Sequence, residues 1–146
     1  MAGPFVANGT QLQVETAPAS GTFTQIADMV DFSGPENTAA EVDITNLDDT
    51  AGRQYLPGLV DRGNLQCTLH FDPDSAAHQQ LFTDQVANPP TVRLYRLVYP
   101  TNSPNNDFTS FNAFVQSTSR AGGVDQPATL SLNLRITGAV TEGTLP

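Results

Sequence analysis

The chain has 146 residues, enough for one domain to bury a sizeable core without disulfides or metal. Hydrophobic residues make up 38% and charged residues 14%, a balance that offsets ordering entropy by burial, so the chain folds rather than staying disordered. Fifteen acids stand against six bases, all of them arginine, and a net charge of −9 disfavours the clustered-cation mode of nucleic-acid binding.

After a small-residue lead to Thr10, residues 11–16 alternate, with Leu12 and Val14 on one face and Gln11, Gln13 and Glu15 on the other, which predicts a strand. Ala17-Pro18-Ala19-Ser20-Gly21 reads as a turn, residues 22–30 resume extended structure around Phe23, Ile26 and Val30, and Ser33-Gly34-Pro35 breaks it. Residues 41–45 predict a short strand, with Val42 and Ile44 opposite an acidic face of Glu41 and Asp43. From Asn46 to Arg62 no period is sustained and Pro57-Gly58 interrupts, so a long loop is expected there. Loops of that length are usually functional, and Tyr55, Leu56, Pro57, Leu59 and Val60 make this one too apolar to stand in water alone. It must dock, either on its own core or elsewhere.

Residues 64–71 give the clearest strand, with Leu65, Cys67, Leu69 and Phe71 facing one way; the lone Cys67 is expected to be a small buried apolar side chain. Asp72 as a cap, Pro73 at the first helical position and Asp74 near the dipole's positive end predict a helix over 75–86. Ala77 and Leu81 would face inward, with Ala76, Phe82 and Val86 as further candidates, and Asn88-Pro89-Pro90 would stop it. Strands are expected over 91–99, 108–118 and 128–137, with a polar loop at 101–107 and a turn at 119–123. The last strand turns Leu130, Leu132, Leu134 and Ile136 inward, and the tail from Ala139 carries no pattern.

Together these predict a mainly β fold: one domain over 1–146, an antiparallel β-sandwich or partial barrel with one flanking α-helix, terminal extensions at 1–10 and 139–146, and the loop at 46–62. Sheet edges without a single lysine to blunt them point to use in assembly. The opening residues lack a signal-like segment, and no stretch of about 18 apolar residues would span a membrane, so synthesis in a reducing cytoplasm and no membrane partner are expected.

Catalytic constellations are thin. His70, His78 and Asp72 or Asp74 could meet around one corner as a metal site, but the usual His/Cys spacings are missing, so no metal and no cofactor are expected. Asp48-Asp49 reads as solvated surface, no Gly-x-Ser-x-Gly elbow occurs, and phosphate loops ending in Gly-Lys are impossible without lysine. The chain is expected not to be an enzyme.

One ordered series of segments resembles the major tail tube proteins of siphophages. It runs through Gln11-Leu12-Gln13-Val14-Glu15, Phe23-Thr24-Gln25-Ile26-Ala27-Asp28 and Val42-Asp43-Ile44-Thr45-Asn46. It continues through Arg53-Gln54-Tyr55-Leu56-Pro57-Gly58-Leu59-Val60-Asp61-Arg62-Gly63 and Phe71-Asp72-Pro73-Asp74 with His78 and Leu81, and closes on Leu132-Asn133-Leu134-Arg135-Ile136-Thr137-Gly138. The resemblance implies a virion protein, made in the bacterial host cytoplasm, with a tail-tube-like sandwich related to contractile-tail and type VI secretion tubes. Six copies would form a ring, and rings would stack into the tube of a long non-contractile tail. It further implies tape measure, tail terminator and distal tail or baseplate proteins as partners, and DNA passing through the lumen without specific binding. A ring of six would carry a charge of about −54, and whatever share lines the bore would repel phosphates. The 46–62 segment maps to the region that reaches an adjacent subunit, which makes Arg53, Tyr55, Leu56, Pro57, Gly58 and Leu59 the candidate inter-subunit interface. The chain's end soon after Ile136 predicts that the added surface domain of some members is missing.

The rival from another class is a soluble carbohydrate-binding or adhesin-like β-sandwich, with exposed Tyr95, Tyr99 and Phe108 as its ligand face.

Overall fold

The computed structural model describes residues 4–17, 20–26, 28–101 and 105–145. The expected turn at 17–21 and the loop at 101–107 therefore lie partly outside the described residues, as do the first three positions and the last. Among those described, the chain forms β1 (Gln11–Glu15), β2 (Phe23–Ile26), β3 (Met29–Ser33), β4 (Thr38–Asp43), β5 (Tyr55–Asp61), β6 (Asn64–His70), α1 (Ala76–Val86), β7 (Arg93–Val98), β8 (Asp107–Gly123) and β9 (Gln126–Thr144).

Seven strands make one antiparallel sheet in the order β2-β1-β7-β8-β9-β6-β3, and β4 pairs only with β5. The two edge strands, β2 and β3, are consecutive in sequence, so the sheet must fold round until its margins meet at one corner. The expected single extended segment over 22–30 thus divides. Asp28, at φ 67, makes the bend, and its carbonyl accepts the His70 amide at 2.9 Å. Strands that switch between layers at a bend are how orthogonal sandwiches make their corners.

Between the layers lies the core. Leu12 and Val14 of β1, Leu65, Cys67 and Leu69 of β6, Tyr95 and Leu97 of β7, Phe111, Ala113 and Val115 of β8, and Leu130 to Ile136 at alternate positions of β9 are all buried. Alternation in the sequence is satisfied along most of each strand, but Glu15, expected on the outward face of β1, is buried, as is Thr109 of β8. Burial raises the Cys67 thiol to about 12, so it remains a neutral apolar filler.

Four expectations are corrected here. The helix begins at Ala76, after Ser75, whose hydroxyl makes no cap. Asp72 instead accepts the Asp74 amide at 3.0 Å in a preceding turn, and its own N–H is taken by Nδ1 of the buried His78 at 3.2 Å, which spends the Asp-Pro-Asp signal one turn early. Of the helix's expected inward side, Ala77 and Leu81 are buried and Phe82 is half-buried, whereas Ala76 and Val86 face out and His78 and Asp84 take their places. The 119–123 segment continues β8, and the reversal is the two-residue Val124-Asp125 turn with Asp125 at φ 60. The 139–146 extension is strand through Thr144, paired with Asp107–Phe111; Gly138, at φ 83, shifts the register, and with its residues exposed or half-buried no alternation marks it.

Candidate functional site

The loop expected over 46–62 is corrected as well. Residues 55–61 are β5, which returns along β4 in register Val42↔Leu56 and Asp43↔Tyr55 at the far end and Ala39↔Val60 and Thr38↔Asp61 at the base. Between them the register slips by one residue, opposite Ala40, where a Cβ on Gly58 would meet that of Ala40 at 3.0 Å. Gly58 and Leu59 are the two residues of a β-bulge opposite Ala40, with Pro57 paired to Glu41 just beside it, so the Pro57-Gly58 pair that reads as breakers sits where a strand tolerates them.

This arm is braced at both ends. At its tip, Asn46 and Asp49 exchange bonds: the Asp49 carboxylate accepts the Asn46 amide at 2.8 Å, the Asn46 side chain accepts the Asp48 amide at 2.8 Å, and the Asp49 amide reaches the Asn46 carbonyl at 3.2 Å. At its base, Asp61 accepts the Gly63 amide at 2.9 Å and Arg135 Nη2 at 3.1 Å on each oxygen. These two partners, the amide first, hold the Asp61 carboxyl below its ordinary value. Glycine is required at the crossing, since a Cβ on Gly34 would lie 2.4 Å from the Asn64 carbonyl and Gly63 sits at φ 68 against Glu36.

Every residue of β4 and β5 is exposed. Among the described residues, seven of the thirteen exposed large hydrophobic ones fall between 42 and 60: Val42, Ile44, Leu47, Tyr55, Leu56, Leu59 and Val60. The structure puts Tyr55, Leu56, Pro57, Gly58 and Leu59, the residues expected at an inter-subunit contact, on a strand of a hairpin arm rather than in a loop. It places Arg53 beside them, where Nη1 meets Asp43 at 3.3 Å, and adds Val42, Ile44 and Leu47. Those three could have been found by asking where the Val42/Ile44 face packs, because nothing among the described residues covers it. An isolated two-stranded ribbon is marginally stable by itself, and an apolar patch of this extent is larger than scattered surface residues explain.

The other candidates fall away. His70 faces solvent while His78 is wholly buried and spent on a backbone amide, and no three metal-ligating side chains converge among the described residues. Tyr95, placed in the rival's ligand face, is 0% exposed and stacks on Phe111 with ring centroids 6.3 Å apart, and burial raises its phenol. Tyr99 is half-buried against the core and bonded to Thr109 at 3.0 Å. What the chain offers is a scaffold with a projecting arm.

Solved structures with this fold are parts of phage tails and injection machines. The SPP1 tail tube matches with a TM-score of 0.74 at 14% identity, over 97% of this chain and 80% of that one. The tail of an empty gene transfer agent particle, refined with C6 symmetry, matches at 0.71 and 21%, over 95% and 100%. The sheath-tube complex of PVC, an extracellular contractile injection system, matches at 0.73 and 12%, over 97% and 93%. No curated protein sequence matches the chain. The fold is that of a tail tube subunit, a structural and non-enzymatic part of a virion. The family model for lambda-like phage tail tube proteins matches residues 4–98, and the chain belongs to that family.

Proposed function

We propose that this chain is the major tail tube subunit of a long non-contractile phage tail, assembling into stacked hexameric rings whose bore conducts DNA. The observation that carries this reading is the arm, a braced hairpin with seven bare hydrophobic side chains that its own body leaves uncovered. A soluble monomer has no reason to maintain it, since an exposed apolar ribbon invites aggregation. The sixfold symmetry of the gene transfer agent tail supports the ring number, and the net charge of −9 suits a conduit for DNA. Arg53, Tyr55, Leu56, Pro57, Gly58 and Leu59, with Val42, Ile44 and Leu47, are then the contact between copies. Tape measure, terminator and distal tail proteins are the further partners of such a tube.

The test replaces Tyr55, Leu56 and Leu59 together by serine. These side chains stand outside the core, so the variant should melt where the unaltered protein does and yet form no tubes in negative-stain microscopy. Normal tubes would remove the arm from the interface, and an unaltered protein that stays monomeric at high concentration would refute the tube reading itself.

A further inference from the structure

Arg96 lies on the outward face of β7, opposite Gln13 of β1 in the register and away from the core. Its guanidinium carbon sits 3.9 Å from the ring centroid of Phe23 and 5.8 Å from that of Phe108, between two aromatic surfaces. Nε donates to Gln13 Oε1 at 2.5 Å, and Gln13 is in turn held by Gln11 at 3.1 Å. That arrangement uses one of the five N–H donors a guanidinium carries. The remaining four have no partner among the described residues, and no carboxylate lies within ion-pair distance. The side chain is half-buried, and desolvation lowers its pKa without an acid nearby to offset the loss.

Arg120, over the Phe71 and Phe82 rings at 5.3 and 4.2 Å, is the other arginine set against aromatic rings, but it is exposed where Arg96 is half-buried. In a chain with fifteen acids, three of the six arginines hold carboxylates, Arg53 with Asp43, Arg93 with Asp84 and Arg135 with Asp61. Arg96 is fixed instead, by packing and by its glutamine, with its fork presented outward. A preorganised planar fork in an apolar rim is suited to receive a carboxylate, because little rotamer entropy remains to be lost. The arm has such groups to offer. Six acids lie between residues 36 and 61, and of those Glu36, Glu41 and Asp48 have side chains with no partner among the described residues; Glu36 precedes the arm, while Glu41 and Asp48 lie on it. Around them stand the hydrophobic side chains that an aromatic rim would cover.

We infer that Arg96, seated between Phe23 and Phe108, is the receptor for an arm carboxylate, Glu41 or Asp48, of a second copy of this chain. The inference rests on the tube reading and adds to it the place on the neighbour where the arm lands. Each copy then carries one arm and one seat, so that contacts repeat from copy to copy as a head-to-tail interface requires.

Three variants test it: Arg96→Glu, the arm pair Glu41→Arg with Asp48→Arg, and all three changes in one chain. The arm pair is fully exposed and should fold normally, which guards against a folding defect in Arg96→Glu. Each of the first two should raise the critical concentration for tube formation by about thirtyfold or more, as expected for a desolvated charge pair broken on one side, and the combined chain should recover most of it. Assembly of Arg96→Glu at the unaltered concentration would overturn the inference. So would failure of the combined chain to recover while the unaltered protein still forms tubes. An unaltered protein that forms no tubes would strike down the parent reading and this one with it.

Discussion

Asp84 and Arg93 show what a single pair can hold together. Arg93 Nε and Nη2 meet the two oxygens of Asp84 at 2.6 and 3.2 Å, in a fork-to-fork contact whose side chains are only 18% and 3% exposed. The bond to Asp84 raises the arginine's pKa, and the Asp84 carbonyl also accepts the Thr91 amide at 3.1 Å, so one residue ties the helix to the strand that follows it. Removing one charge strands the other in a low-dielectric setting. Asp84→Ala is expected to cost about 3–5 kcal/mol in urea unfolding, whereas replacing both residues by apolar side chains of similar volume should cost much less. A single and a double variant of equal cost would show that the pair adds packing only. Neither residue stood out in the sequence, because an acid in a helix normally faces water and nothing in its spacing names a partner nine residues on. His78 was equally opaque: its chemistry suggested a ligand, while its place is to accept the Asp72 amide from inside the core.

Elements were legible wherever one face meets this chain's own core. β1, β6 and the first half of β9 show strict alternation because Leu12, Leu65 and Leu132 each have a core to enter while their neighbours have water. In the arm both faces are exposed; residues 41–45 still alternate and made part of β4 legible, but the period-two signal is missing from β5 and the bulge opposite Ala40 erases what remains. The same cause hid the strand at 139–144. What holds the arm at its angle is the base clasp, and that clasp depends on pH. Because the Asp61 carboxyl has a folded value below its ordinary 3.8, its contribution is fully present above that value and is lost as pH falls through the lowered one. Asp61→Ala at neutral pH should therefore speed hydrogen exchange in β4 and β5 while leaving β6 and the first half of β9 unchanged. Uniform acceleration across the sheet would mean that the clasp belongs to the body rather than to the arm.

At the scale of the whole molecule, the folded-round sheet presents outward faces of different character. The face of β1 and β7 carries the Phe23, Arg96 and Phe108 stack, while β3, β6, β8 and β9 form a shallow depression of about 490 Å³ where hydroxyls and amides such as Ser117, Ser131 and Asn133 stand with Phe32, Leu132 and Asp31. Neither lysine nor arginine lines that depression. Affinity for duplex DNA grows with the number of phosphates a protein neutralises, so a surface with one carboxylate and no cation offers no counterion release to drive binding. Assembled protein should leave linear duplex DNA unretarded in a gel at about 100 mM salt. Placing arginine at Ser117, Ser119 and Ser131 should create retention that weakens steeply as salt rises, by about 0.9 in the logarithmic slope for each phosphate newly engaged. Tight, salt-sensitive retention by the unaltered assembly would contradict a conduit that DNA slides along, because a wall that holds phosphates at rest must also hold them in transit.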